Sequence, residues 1–149
     1  VVRSAPPEAA ADRVLGRYGS EDVYYREFVR RVKAGEFAVQ QCDSCGYLRW
    51  PPTRACNECL SGTWHWQEVE RGGVLWSVAV YERKYGSHRT VPYNVVVVTL
   101  DCGVNMLSTV VHDGPDTDLA PGQRVVADLD GPGPGLAHLV FRLVDEVGS

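Results

Sequence analysis

Four of the five cysteines in this chain fall between positions 42 and 59, as the pairs Cys42-Asp43-Ser44-Cys45 and Cys56-Asn57-Glu58-Cys59, with ten residues between them. Two such knuckles can bring four thiolates around one Zn²⁺ in a closed tetrahedron, which leaves no coordination position for a substrate. The site is therefore expected to be structural, with Cys42, Cys45, Cys56 and Cys59 as ligands. Two disulfides are the plain alternative, but a bridge between cysteines so close in sequence strains its loop, and the other cysteine spacings of a secreted scaffold are absent. A thioredoxin-type redox pair needs only one Cys-x-x-Cys and a βαβ setting. Iron in the four-thiolate site, with electron transfer as the function, is a further alternative; a ferric site of this kind is red and a zinc site colourless.

Elsewhere the residues that can do chemistry are scattered. Cys102 is the unassigned cysteine and His112 follows it by ten positions, but a catalytic thiolate needs a base or positive charge beside it, and no such spacing is evident. His65, His88 and His138 show no ligand pairing. Asp113, Asp116 and Asp118 lack the Gly and Glu positions of a calcium loop and read as loop chemistry. Basic residues are more concentrated: Arg83, Lys84, His88 and Arg89 lie with Tyr85 in one stretch, and Arg49 and Arg54 lie between the knuckles beside Trp50.

These residues need elements to position them. Ser20 reads as an N-cap, and Val23, Tyr24, Phe28 and Val32 recur at helical spacing, so Glu21 to Ala34 is predicted as a helix ended by Gly35. Its aromatic stripe packs into a core, or else presents Tyr24, Tyr25 and Phe28 to a partner protein. Strands are expected at Glu36–Gln41, Tyr47–Trp50 and Thr63–Val69 around the knuckles, with Gly46 in a left-handed conformation after Cys45. Trp64 and Trp66 are suited to cover the metal module. A ribbon of ~30 residues has too little core to fold alone. Its metal contributes ~10–16 kcal/mol in comparable small sites.

From Gly73 the pattern is all-β. Strands are expected at Gly73–Tyr81, Tyr93–Leu100, Val104–Val111, Arg124–Leu129 and Leu136–Val144, the last fading into a polar tail. In the first, Val74, Trp76, Val78 and Val80 are assigned to one face and Leu75, Ser77, Ala79 and Tyr81 to the other. Asp101-Cys102-Gly103 reads as a hairpin turn, and Asp118-Leu119-Ala120 as one helical turn. Five strands with a helical insertion after the third describe an OB-fold barrel, with a five-stranded SH3-like barrel as the competing fold. The fold class is thus mainly β with an N-terminal helix: a four-cysteine zinc ribbon followed by a five-stranded OB-fold barrel. The divisions are a linker and helix over 1–35, the ribbon over 36–69 and the barrel over 70–149.

The chain has 149 residues and a formal net charge of −4. Four thiolates and a divalent ion bring the folded value to about −6. That balance does not favour a general nucleic-acid binder, although ribbons and OB barrels both serve that purpose and a nucleic-acid-binding module remains the alternative function. Cysteines committed to metal suit a reducing cytoplasm. No run approaches the ~20 apolar residues of a membrane span. The Ala/Pro-rich start, Ser4 to Ala11, and a first residue that is not Met suit a linker from an upstream domain.

The order helix, four-cysteine ribbon, OB barrel resembles a family of small acyl-CoA-associated proteins with an N-terminal rubredoxin-like zinc ribbon and a C-terminal OB-fold. The resemblance rests on Gln41-Cys42-Asp43-Ser44-Cys45-Gly46, Trp50-Pro51-Pro52, Cys56-Asn57-Glu58-Cys59, Trp66-Gln67-Glu68-Val69, Gly72-Gly73, Pro92-Tyr93 and Leu100-Asp101-Cys102-Gly103. The family usually shows Pro before the third cysteine, where this chain has Ala55. It implies a non-catalytic accessory subunit or fused domain of a thiolase-superfamily enzyme, a thiolase or retro-aldolase acting on acyl-CoA thioesters, including the aldolase partner in steroid side-chain degradation. It also implies a hetero-oligomer, structural zinc, and an OB module that helps to form the CoA-thioester site. Arg49, Trp50, Arg83, Lys84, Tyr85 and Arg89 are then the candidates for CoA or partner contact, on phosphate-recognition grounds. Neither nucleic acid nor membrane is expected as a partner. The ribbon is expected to hold helix and barrel in one rigid body, with the residues between its knuckles as an external surface.

Overall fold

A computed structural model describes residues 23–81, 93–131 and 139–147. Helix α1 spans Val23–Lys33 and buries Tyr25, Phe28 and Val32, positions three and four apart along one face. Arg30, Arg31 and Lys33 crowd its last turn, where the helix dipole favours cations. Glu27 holds Arg30 at 2.6 Å and Arg31 at 3.1 Å, and Arg31 also meets Glu36 at 2.7 Å. Gly35, at φ 84°, ends the helix as expected: its N–H donates to the Val32 carbonyl and the Glu36 N–H to that of Arg31, a Schellman closure.

A first, three-stranded antiparallel sheet follows. Strands β1 (Ala38–Cys42), β2 (Leu48–Arg49) and β3 (Trp64–Glu68) lie in the order β2-β1-β3, and Cys42 pairs with Trp64. The central strand β1 is almost wholly buried. The second sheet holds β4 (Gly72–Tyr81), β5 (Tyr93–Leu100), β6 (Asn105–Ser108), β7 (Arg124–Asp128) and β8 (Val140–Leu143) in the order β6-β5-β4-β7-β8. It closes on itself through a parallel bridge between Val110 and Phe141, where the Val111 N–H donates to the Phe141 carbonyl and the Phe141 N–H to that of Thr109. The circuit β4-β5-β6-β8-β7 back to β4, with a 3₁₀ turn at Asp116–Asp118 between β6 and β7, is that of an OB barrel rather than an SH3-like one. The chain then turns into a short helix, α2 (Val144–Val147), where the sequence suggested a polar tail. No helix among the described residues is long and apolar enough to cross a membrane.

One expectation about β4 needs correction. Leu75 pairs with Val98 and Ser77 with Val97, so Trp76 is an extra residue, a β-bulge. Before it, Gly73 and Leu75 face the core. After it, Val78 and Val80 pair with Val96 and Asn94 and take over the inner face, while Ala79 and Tyr81 face outward. Strict alternation therefore holds only up to Trp76, which stands 65% exposed. Tyr81 stacks on its outward cross-strand partner Tyr93, with ring centroids 4.9 Å apart.

Both sheets share one core. Phe28, Val32, Phe37 and Val39 from the helix and ribbon join Leu75, Val96, Val98, Met106, Val125 and Phe141 from the barrel in a single buried cluster. Gly73 permits the tight crossing at its centre: a Cβ there would stand 2.7 Å from Val98 Cγ1 and 2.8 Å from the Thr99 carbonyl oxygen. At Gly72 the corresponding neighbours are ends of flexible side chains, Arg124 Nη2 and Asp101 Oδ2, themselves joined in a bidentate pair at 2.7 and 3.0 Å. Gly73→Ala is expected to destabilise the chain by about 2–3 kcal/mol through overpacking, and Gly72→Ala by less. Urea unfolding midpoints check this, and equal effects of the two would contradict the backbone-crossing argument.

Candidate metal centre and adjoining cleft

The two knuckles are built alike. The Gly46 N–H donates to the Cys42 carbonyl and the Leu60 N–H to the Cys56 carbonyl, both at 2.9 Å. Gly46 has φ 77° and Leu60, at the equivalent position, φ 65°. These tight turns aim backbone N–H groups at sulfur. Cys42 receives those of Ser44 and Cys45, Cys56 those of Glu58 and Cys59, Cys45 that of Tyr47, and Cys59 that of Ser61. The Cys45 N–H leads in drawing the Cys42 thiol down to about 6, against the opposing effect of burial. The Tyr47 N–H acts in the same sense on Cys45, but burial and thiol–thiol hydrogen bonds outweigh it and push Cys45 up to about 12. Cys56 is lowered: burial opposes this, and the Cys59 and Glu58 amides overcome it. Without a cation, the cluster thus shares its charge unevenly.

All four sulfurs lie within 4.8 Å of one another. Cys42 Sγ stands 3.5 Å from Cys59 Sγ, and Cys45 Sγ 3.6 Å from Cys56 Sγ. A tetrahedron with Zn–S bonds of about 2.3 Å has edges of about 3.8 Å, whereas a disulfide needs about 2.05 Å. The donor set therefore fits zinc and not paired disulfides. With four thiolate ligands the site is closed, and the zinc is structural. The surrounding shell fixes the knuckles: Ser44 donates to Ser61 at 3.0 Å, the Asp43 N–H to the Thr63 carbonyl at 3.0 Å, and His65 Nδ1 meets Asp43 Oδ1 at 2.6 Å.

The segment between the knuckles is not the external surface the sequence suggested. Arg49 is 3% exposed and Trp50 is half-buried, its ring edge-on to Phe28 at 5.9 Å. Both nonetheless line an open cleft of about 430 Å³ between the ribbon and the β5–β6 turn, with Tyr47, Asn57, Cys102 and Asn105 among the other walls. Nor does helix α1 offer its whole aromatic stripe. Tyr25 and Phe28 are buried, Phe28 in the shared core, because the helix must cover the ribbon sheet and barrel. Tyr24 is half-buried against Trp64 at 5.7 Å, Trp64 packs on Trp66 at 5.3 Å, and Arg31 lies over Trp66 at 5.2 Å.

Other candidates are dispersed. Cys102 precedes β6 and His112 follows it, so the strand separates them. His112 Nε2 meets Asp116 Oδ1 at 2.9 Å, and Asn94 donates to the same oxygen at 3.0 Å. Asp116 thereby belongs to a structural network, and among the described residues only the four cysteines are grouped for a metal. Arg83, Lys84, Tyr85, His88, Arg89 and His138 lie outside the described residues. Sequence reasoning missed Gln40 and Asn94, two fully or nearly buried amides. The available signal was a polar residue at a core-facing strand position. Cys45→Ser is expected to drop zinc from one per chain to well below that. The loss of about 10–16 kcal/mol of metal-linked folding energy exceeds or matches ordinary domain stability. Cys102→Ser should retain a full equivalent, and metal analysis of the two purified variants separates these outcomes.

With this geometry established, similarity to known proteins can be placed on it. Two family models match adjoining stretches of the chain: the ChsH2 rubredoxin-like zinc ribbon domain over residues 31–65 and the ChsH2 C-terminal OB-fold domain over residues 66–130. A curated relative, the probable enoyl-CoA hydratase alpha subunit of Thermomonospora curvata, is 31% identical over 111 residues, which make up 74% of this chain and 34% of that protein. The chain thus spans about a third of that relative's length. Among solved structures, a chain of the Ltp2-ChsH2(DUF35) aldolase superposes with a TM-score of 0.74 at 27% identity, covering 84% of this chain and 98% of that one. A DUF35-family protein of unknown function from Sulfolobus solfataricus shares the fold, with a TM-score of 0.61 at 13% identity over 93% of this chain and 99% of its own. The closed four-thiolate ribbon, the OB circuit and these matches together place the chain in the ChsH2 family, whose members join a rubredoxin-like zinc ribbon to a C-terminal OB-fold.

Proposed function

We propose that this chain is a non-catalytic accessory unit of a thiolase-superfamily enzyme acting on acyl-CoA thioesters, which it stabilises while helping to form the thioester site. The observation that carries this reading is the fit to the Ltp2-ChsH2(DUF35) aldolase chain, which this chain covers almost entirely at 27% identity. The hydratase named for the Thermomonospora relative describes a longer protein, of which only 34% is matched. A hydratase active site is assigned here to the unmatched part, and the matched part to docking. The chemistry of the described residues agrees: the metal site is closed, and no histidine lines the cleft that holds Cys102. The aldolase named for that chain supports a retro-aldolase partner, and the degradation of a steroid side chain is proposed as its setting on the resemblance carried by the sequence. A reducing cytoplasm suits the thiolate site.

Within this reading the stretch holding Arg83, Lys84, Tyr85 and Arg89 takes the CoA phosphates and adenine, since guanidinium and ammonium groups are the natural partners of phosphate. Tyr24 and the exposed Trp76 are the aromatic groups best placed to meet a partner, because aromatic anchors dominate interface energetics.

A pull-down of the tagged chain from native lysate should recover a thiolase-like protein in a stoichiometric hetero-oligomer, read on sizing columns with light scattering; a chain recovered alone contradicts the proposal. In that complex, the combined R83A, K84A and R89A substitutions should weaken CoA-thioester binding by about tenfold or more. Unchanged affinity would remove the stretch from the thioester site and leave the docking role intact.

A further inference from the structure

Leu60 sits in a conformation and a setting that suit glycine better. It follows Cys59 as Gly46 follows Cys45, and each closes its knuckle by donating its N–H to a cysteine carbonyl, that of Cys56 and of Cys42 respectively. The turn needs a positive φ, which glycine adopts without strain. A Cβ in that region crowds the following carbonyl. Leu60 nonetheless takes it at φ 65°, and among the described residues it is the one non-glycine residue that does. The side chain gains little within the chain in return. It stands 80% exposed, more than any other large apolar side chain described. Glycine would remove both the strain and the exposed apolar surface, so folding of this chain alone gives no reason for a leucine.

The setting of Leu60 is acidic. Four thiolates and a divalent ion leave two net negative charges. Glu58 and Asp43 lie exposed within the knuckles, Asp43 partly engaged by His65 at 2.6 Å. No Lys or Arg occurs in 42–48 or 55–63. Cys45 and Cys59, which immediately precede Gly46 and Leu60, are the exposed ligands, whereas Cys42 and Cys56 are buried. The same end of the ribbon meets the start of helix α1: Trp64, cross-strand partner of Cys42, has Tyr24 edge-on at 5.7 Å. Given the docking role proposed above, on which this step rests, we infer that the second knuckle is a docking anchor. Leu60 enters an apolar socket on the thiolase-superfamily partner, and a basic rim around that socket faces Glu58 and the metal–thiolate charge. Burial of the leucine supplies affinity, and the opposed charges set orientation and the rate of encounter.

The test uses the zinc-loaded chain and the thiolase-like protein recovered with it, separated and rebound on a biosensor. L60G removes the side chain and suits the turn. Free L60G should keep its zinc and unfold in urea at or above the midpoint of the unchanged chain. Its dissociation constant for the partner should nevertheless rise about tenfold or more. L60M keeps the apolar bulk and should bind within about threefold of the unchanged chain. E58K should slow association, with the difference narrowing as salt rises. One measurement needs no variant: EDTA should strip zinc more slowly from the complex than from the free chain, because the partner covers Cys45 and Cys59. Equal affinity of L60G and the unchanged chain, or zinc loss that the partner does not slow, overturns the anchor while the hetero-oligomer itself stands. E58K that associates faster overturns the basic rim. No hetero-oligomer with the unchanged chain overturns the docking role and the anchor together. A free chain that forms a dimer in light scattering, returned to monomer by L60G, overturns the assignment in favour of a second copy of this chain.

Discussion

Four sulfurs held within 4.8 Å of one another cannot all carry charge unless a cation stands between them. Everything N-terminal to the barrel depends on that demand being met. The knuckles fix the ends of β1, β2 and β3, since Cys42 closes the first strand and pairs with Trp64, which opens the third. The sheet so formed buries β1 and carries Phe37 and Val39 into the core that helix α1 and the barrel share. Neither the helix nor the ribbon has a hydrophobic interior of its own. The metal sets the turns, the turns set the sheet, and the sheet places Phe28 and Val39 against the barrel wall.

Much of this was legible in the residues. The cysteine spacing stated the metal chemistry outright, because ligand geometry is local to two short turns. The apolar runs announced β4, β5 and β7 to within a residue, whereas β6 ends at Ser108 rather than Val111 and β8 begins only at Val140; Gly35 and Gly46 marked left-handed turns that the backbone confirms. What could not be read was relational. Whether the Tyr25 and Phe28 side chains meet a partner or the interior depends on what lies beneath the helix, and a helical stripe looks the same in either case. Arg49 reads as a surface cation by composition. Only its pairing with Gln40 across β1 and β2 makes it internal. Leu60 shows the reverse: no residue preference points to a left-handed leucine, yet the symmetry of the knuckles puts one opposite Gly46, 80% exposed.

The shared core bears on the proposed role. An accessory unit must offer a surface whose shape does not relax when a partner approaches, because ordering loose parts subtracts from binding. Helix, ribbon and barrel are joined by buried contacts, and Arg71 at the start of the barrel donates to the Gly35 carbonyl at the end of helix α1 at 3.1 Å. The cleft beside Arg49 lies across that junction, so its two walls are held in register by the same packing that holds the modules together.

The bulge at Trp76 has a consequence for how the barrel finds its frame. Strand β5 carries valine on four successive positions, so its apolar pattern does not say which side is inner. A slip of one residue would exchange Val96 and Val98 for Val95 and Val97 with little change in hydrophobicity. It would also carry Asn94 out of the interior. There its amide holds the Val110 carbonyl, the Val110 N–H, the Thr109 hydroxyl and Asp116 together, and no valine can replace those bonds. A polar residue that looks like a flaw in an apolar strand thus acts as a proofreader: it makes the misaligned barrel, otherwise almost as greasy as the right one, the wrong answer.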